Sequence, residues 1–278
     1  MVKIVSLLSY RGGTGKSNLA ANIAWLAAKS GAKVAVLDTD LQSPGVHIVL
    51  QADMSRAVFT LSDFVAKKCQ IQEVAIDLTD SLQLRETGGR LWLLPSSMNV
   101  EAITRVIAEG YDAAHLNREM ATLVESLGLD LLLIDSHPGL NRETLLTAAV
   151  SDVLLVLVRP DAQDFQGTAV ITQVARKLHV PTTWLIATKV IDGVDPVAFA
   201  ARLQDAFGSE VAASIPLLPG IARLGSAGVF AQKEPDHPVV ATLQQLTHKL
   251  LSAVDRETAK GGATNGEAAA DVAARERA

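Results

Sequence analysis

Two spacings of apolar residues alternate along this chain. Short unbroken apolar runs mark strands covered on both faces, and stretches with apolar residues every three or four positions mark helices with one covered side. Residues 3–9 form the first run. Residues 16–29 follow, with Leu19, Ile23, Ala24, Leu26 and Ala27 on a wide apolar face and Gly31 just past the end. Residues 33–37 are a second short run. Strand, helix, strand in this order implies a right-handed crossover between parallel strands. Further runs at 91–94, 130–135, 153–158, 182–188 and 211–215 predict strands. Helical spacing predicts helices over 60–68, 100–109, 113–127, 142–150, 166–178, 196–207 and 239–254. Thr60 or Ser62 would cap the first of these helices, and Asp161 to Asp164 the helix at 166–178. Residues 70–77 and 81–84 fit neither period cleanly. The alternation predicts an α/β fold: a doubly wound, mainly parallel sheet with helices on both faces. One domain is expected over 1–254. From Asp255 bulky apolar residues almost vanish, so 255–278 reads as a disordered tail or a loose alanine-rich helix.

The turn between the first strand and the first helix is Tyr10-Arg11-Gly12-Gly13-Thr14-Gly15-Lys16-Ser17. Glycines at 12, 13 and 15 let the backbone take conformations closed to other residues, so that several N–H groups can converge on one anion. The helix N-terminus behind them adds unpaired N–H groups and partial positive charge. Lys16 has the reach for β- and γ-phosphates, and the Ser17 hydroxyl can ligate Mg²⁺. A standard loop of this type, G-x-x-x-x-G-K-[ST], has glycine where this chain has Tyr10.

The second strand ends in Asp38-Thr39-Asp40, and the run Asp130-Leu131-Leu132-Leu133-Ile134-Asp135 ends in another acid. In open parallel sheets ligands sit at the carboxyl ends of strands, which places these carboxylates near the phosphates. Carboxylates beside a polyanion are costly unless they hold a metal, a water or a cation. Asp40 therefore reads as functional, Asp38 fits either function or a solvated turn, and Asp135 reads as the acid that supports Mg²⁺ through a water. In the following Ser136-His137-Pro138-Gly139, the Gly139 N–H is placed to sense a γ-phosphate. His137 reads as an exposed loop histidine, with nothing else in the sequence pointing to a second catalytic base.

Composition narrows the class. With 49% hydrophobic and 20% charged residues the chain can bury a large core, and with only 4% aromatics that core is Leu, Val, Ile and Ala. No apolar run reaches the ~18 residues of a membrane span, and no signal-peptide pattern opens the chain. One cysteine, Cys69, allows neither an internal disulfide nor a Cys-x-x-Cys site. A soluble cytoplasmic protein is expected. A net charge of −5 gives no general attraction to nucleic acid or anionic lipid.

The loop, the Asp-x-Asp and the Asp-x-x-Pro-Gly together resemble the deviant-Walker-A ATPases of the ParA/MinD family, over roughly residues 1–254. The resemblance implies a P-loop NTPase fold of the SIMIBI type. It also implies ATP and Mg²⁺ as cofactors, an ATP-sandwich homodimer parted by slow, partner-stimulated hydrolysis, and a role in positioning intracellular cargo. Gly12, Gly13, Thr14, Gly15, Lys16, Ser17 and Asn18 would hold the nucleotide phosphates. Asp40 would hold the attacking water, Ser17 and Asp135 the metal, and the turn with Pro216, Leu218 and Pro219 the adenine side. Arg11 stands where the family has a signature lysine that reaches the partner's nucleotide. Arginine keeps the charge and binds phosphate bidentately, but it is longer and planar. The family's base-contacting Asn is replaced by Thr188, followed by Lys189, and the first proline of its second switch by His137. Two alternatives remain open. One is a nucleotide-gated scaffold with little hydrolysis, motivated by Tyr10 and Arg11. The other is a metallochaperone ATPase, which Cys69 could serve only across a dimer. An unidentified activator or cargo adaptor is implied. Non-specific DNA is a candidate partner through Arg202, Arg223, Lys233 and Lys249, which would make the protein nucleoid-associated. Membrane binding is not expected, because the tail has no apolar face.

Overall fold

The computed structural model describes residues 3–261. Among them, eight strands form one sheet: β1 (Lys3–Leu8), β2 (Lys33–Asp38), β3 (Ile76–Asp77), β4 (Arg90–Leu94), β5 (Leu131–Asp135), β6 (Val153–Val158), β7 (Thr182–Val190) and β8 (Glu210–Pro216). Their order across the sheet is β3-β4-β2-β5-β1-β6-β7-β8. All pairings are parallel except that of β3 with β4, which is antiparallel at the edge. Helices α1 (Lys16–Lys29), α2 (Val46–Val49), α3 (Leu61–Val65), α4 (Val100–Glu109) and α5 (Ala113–Leu127) accompany the first half of the chain. The second half carries α6 (Arg142–Ala149), α7 (Ala162–Lys177), α8 (Pro196–Phe207), α9 (Pro219–Leu224), α10 (Phe230–Lys233) and α11 (Pro238–Gly261).

Strand composition explains the layering. Successive side chains of a strand point to opposite faces. Along β5, Leu131 and Leu133 join the core under α1 and α11, and Leu132 and Ile134 join the core under α5. Along β6, Val153, Leu155 and Leu157 face the first of these layers, and Leu154, Val156 and Val158 face a third cluster with α7 and α8. A strand covered on both sides has no polar position to spare, which is why these strands read as unbroken apolar runs. Helix α1 is buried along nearly its whole length, and its Ala20, Ala21, Ala24, Ala27 and Ala28 let it lie close between the sheet and α11.

Several boundaries moved. α3 stops at Val65 instead of residue 68, with Thr60 capping it in a reciprocal box with Asp63. α7 begins at Ala162, four residues early, with Asp161 as its cap. Residues 70–77 resolve into a 3₁₀ turn, Ile71–Val74, and the two-residue β3. In α11, Val239, Val240, Leu243, Leu246 and Leu250 are buried as their spacing predicts. The α11 backbone continues past residue 254 to Gly261. The rest of the expected tail, 262–278, lies outside the described residues.

β1 lies between β5 and β6, while the chain leaving β1 through α1 goes to β2 on the far side of β5. The connections therefore diverge at β1, and a crevice opens above its carboxyl end.

Candidate nucleotide-binding site

The loop from Ser9 to Gly15 joins β1 to α1. Gly13 and Gly15 hold φ of 73° and 100°, the left-handed region that side-chain-bearing residues avoid. Gly12 has no such φ, and a Cβ there would sit 3.8 Å from the Pro138 ring. The glycine requirement thus falls on two of the three glycines. Tyr10 needs no glycine conformation either. Its ring lies against α7, where a Cβ on Gly167 would come within 1.9 Å of it. Gly167, with no side chain, leaves room on α7 for the Tyr10 ring.

Lys16 is only 7% exposed, and its Nζ donates to Ser9 Oγ at 2.9 Å, which in turn donates to the Arg11 carbonyl at 2.7 Å. Burial holds the Lys16 ammonium below its ordinary pKa, while Asp135 and Asp40 pull it back up. Asp38 and Asp135 are aligned on the neighbouring strands β2 and β5. Both are buried. Burial pushes the Asp135 carboxyl up to about 6, against the Ser17 hydroxyl bond and Lys16, and pushes Asp38 well above the usual carboxylate range. Asp38 accepts from the Asp40 N–H at 3.2 Å. Asp135 Oδ1, Asp38 Oδ2 and Thr14 Oγ1 have no hydrogen-bond partner among the described residues. An orphaned carboxylate oxygen beside the Ser17 hydroxyl is a hard-oxygen donor set, and it fits Mg²⁺.

Asp40, 13% exposed, extends from the end of β2. It accepts the Ser43 N–H at 3.0 Å on Oδ1 and the Ser43 hydroxyl at 3.1 Å on Oδ2. His137 corrects the sequence reading: it is no free loop histidine, because its Nδ1 lies 2.8 Å from Asp40 Oδ1. No sequence signal pairs residues 97 apart in loops after different strands. The Gly139 N–H, expected to face a phosphate, donates instead to the Ser9 carbonyl at 2.9 Å.

A cleft of about 300 Å³ opens beside the loop. Gly13, Thr14, Gly15 and Asn18 line one end, and Thr188, Lys189, Pro216, Leu217 and Leu218 the other. Leu19, Ile215, Ile221, Val239 and Leu243 give it apolar walls. Thr188 is buried with an unpartnered Oγ1. Lys189 takes a left-handed φ of 51°, where the β7–β8 register breaks between Ala187 and Val190. Pro219 does not line the cleft; it opens α9 at its first turn. An apolar slot with two buried hydroxyls, Thr14 and Thr188, beside the glycine loop at the start of α1 suits a nucleobase and its phosphates.

Arg11 folds onto its own α7. It donates to Gln163 and pairs with Asp161 at 3.5 Å and Asp164 at 3.9 Å. Asp164 is already held by Arg159 through two bonds, at 2.7 and 3.0 Å. Of the four basic residues considered for DNA, Arg202 lies over Phe165, and Lys249 pairs with Glu210 and lies over Trp184. No helix among the described residues is long and apolar enough to cross a membrane.

A parallel sheet with a left-handed glycine loop, a buried loop lysine and a strand-end acid beside it defines a P-loop nucleotide-binding protein. Residues 2–183 match the family AAA_31, described as an AAA domain. An ATP-binding protein of Methanocaldococcus jannaschii is 23% identical over 91% of this chain and 89% of its own length. The cytosolic Fe-S cluster assembly factor NUBP2 of Bos taurus is 27% identical over 90% of this chain and 92% of its own. Among solved structures, the septum site-determining protein MinD of Pyrococcus horikoshii, complexed with Mg-ADP, superposes with a TM-score of 0.72. It is 22% identical and is covered over 96% of its length by 90% of this chain. The chain belongs to the ParA/MinD family of P-loop ATPases.

Proposed function

We propose that this protein is an Mg²⁺-ATP-hydrolysing switch that dimerises on ATP and parts after hydrolysis, and that it positions an intracellular cargo. One observation carries the reading: Lys16, Ser17, Asp40 and Asp135 converge at the carboxyl ends of β1, β2 and β5, where burial shifts Lys16 down and Asp135 up against their mutual attraction. In this reading Lys16 and the loop N–H groups bind the β- and γ-phosphates. Asp40 orients the attacking water and accepts its proton. Ser17 and Asp135 would hold Mg²⁺, whose charge offsets that developing on the phosphoryl oxygens. The base enters the slot between Thr188 and Leu218, and the Gly139 N–H exchanges Ser9 for phosphate.

Arg11 supports the dimeric part. Its partners on α7 are exposed or already satisfied by Arg159, and exposed ion pairs contribute only about 0–1 kcal/mol. Release of Arg11 toward a partner's nucleotide is therefore inexpensive. Lys16→Ala is expected to abolish Mg²⁺-ATP binding. Asp40→Ala is expected to keep binding and to lower phosphate release by at least about 100-fold, as loss of a general base does. Wild-type protein that binds no Mg²⁺-ATP would end the proposal. An activator, a cargo adaptor and non-specific DNA are its partners in a cytoplasmic, nucleoid-associated role, tested by a salt-sensitive shift of random-sequence DNA that needs ATP.

The NUBP2 relative favours a second reading, a carrier of metal clusters. Cys69, half-buried with its thiol pushed up to about 11, is poorly disposed to bind metal, and no cluster of potential metal ligands occurs among the described residues. Iron that copurifies with the protein and is lost in Cys69→Ser would favour the carrier.

A further inference from the structure

We propose that His137 is a positioning residue for the hydrolytic step. It aims the Asp40 carboxylate by tying the loop after β2 to the loop after β5. The inference rests on the hydrolytic reading given above, and it adds a residue whose side chain reads as unengaged in the sequence.

Among the described residues, three donors act on the Asp40 carboxylate. Two come from Ser43, three residues along the same loop, and they move with that loop. The third, His137, belongs to the loop that follows β5 and Asp135. An ionised carboxylate only accepts, so the proton of the His137–Asp40 bond sits on Nδ1 of the ring. Oδ1 then has two donors, Ser43 N–H and His137 Nδ1–H, and is fully engaged. Oδ2 has one, the Ser43 hydroxyl, and keeps a lone pair for a water proton. By engaging Oδ1, His137 leaves Oδ2 to face the water, and it references the carboxylate to β5 rather than to a surface turn. The ring borders a small recess whose lining mixes Leu41, Val106 and Tyr111 with Thr39, Gln42 and Glu143. Proline, which the resembling motif has at this position, carries no side-chain donor and cannot make the bond.

Misplacing a reacting group by about an ångström costs up to ~100-fold in rate without weakening binding. The test compares the full-length wild-type, His137→Ala and His137→Asn proteins. Single-turnover phosphate release from Mg²⁺-ATP reads the chemical step, and titration calorimetry with Mg²⁺-ATP reads binding. His137→Ala is expected to lower the rate about 10–100-fold and to leave Kd within about 2-fold. His137→Asn, whose amide N–H sits close to the Nδ1 position, is expected to recover most of that rate. In an Asp40→Asn background, His137→Ala is expected to change nothing further, because the group it aims has lost its basicity. Three results would overturn the inference: a wild-type rate in His137→Ala, an equal loss in rate and affinity, or an additive loss on top of Asp40→Asn. Those results leave the switch reading intact as long as wild-type protein hydrolyses ATP. Wild-type protein that binds ATP without hydrolysing it removes both.

Discussion

Asp38 and Asp135 are held in a setting that disfavours their ionisation, and this has a measurable consequence in the free protein. A carboxyl whose folded pKa lies above its unfolded value holds its proton more tightly in the folded chain. Stability is then greatest at low pH and falls as pH rises through the folded pKa. For Asp135 the window runs from the unfolded value near 4 to about 6, and Asp38 extends it upward in the same direction. Asp38→Asn keeps an acceptor for the Asp40 N–H and removes the buried charge. It is expected to raise the apoprotein's thermal midpoint at pH 7.5 by roughly 3–6 °C, about 1–2 kcal/mol in a chain of this size, and the gain is expected to shrink at pH 4.5, close to the unfolded value. An unchanged midpoint at pH 7.5, or a gain undiminished at pH 4.5, would contradict this. Scanning calorimetry at the two pH values decides. At this scale the sequence disclosed residue types at strand ends, so Lys16, Asp40 and Asp135 were legible. The engagement of His137 was not, because it depends on how two loops approach above the sheet.

Between elements, the decisive contact is the seat of Tyr10 on Gly167, which anchors the phosphate loop to α7 beside the Arg11 pairings. A Cβ at residue 167 would meet the Tyr10 Cβ, Cγ and Cδ1 at 1.9–2.4 Å, too near the backbone for the ring to swing away. Gly167→Ala is expected to cost about 1–3 kcal/mol of stability, as overpacking does, and to weaken Mg²⁺-ATP binding by displacing the loop. Tyr10→Ala added to Gly167→Ala is expected to restore binding. If the double variant binds no better than the single one, the loop is not seated through Tyr10. Denaturant melts with ATP titrations give both readouts. Long periodic elements such as α1, α5 and β6 were visible in the pattern. α2 and α10, four residues each, were not, since helices so short carry little local signal and form by tertiary packing. The departure at Tyr10 is matched by Gly167, 157 residues along the chain on α7, a pairing that local pattern does not disclose.

For the molecule as a whole, the two-sided burial of β1, β5 and β6 makes the sheet a fixed platform, and the working groups project from one edge of it. Apolar runs and their alternation with helices foretold that platform, because coverage on both faces forces the pattern. Assembly is a different matter. A surface that meets a second copy of the chain must also tolerate water, so it leaves no comparable mark on hydropathy. In the proposed switch, ATP assembles two copies and Arg11 leaves α7 to complete the partner's site. Light scattering on Asp40→Ala, which should bind ATP without turning it over, tests this most directly. A dimer is expected with Mg²⁺-ATP, a monomer with Mg²⁺-ADP, and a monomer with either nucleotide once Arg11→Ala is added. The same mass with both nucleotides, whether monomer or dimer, would contradict it.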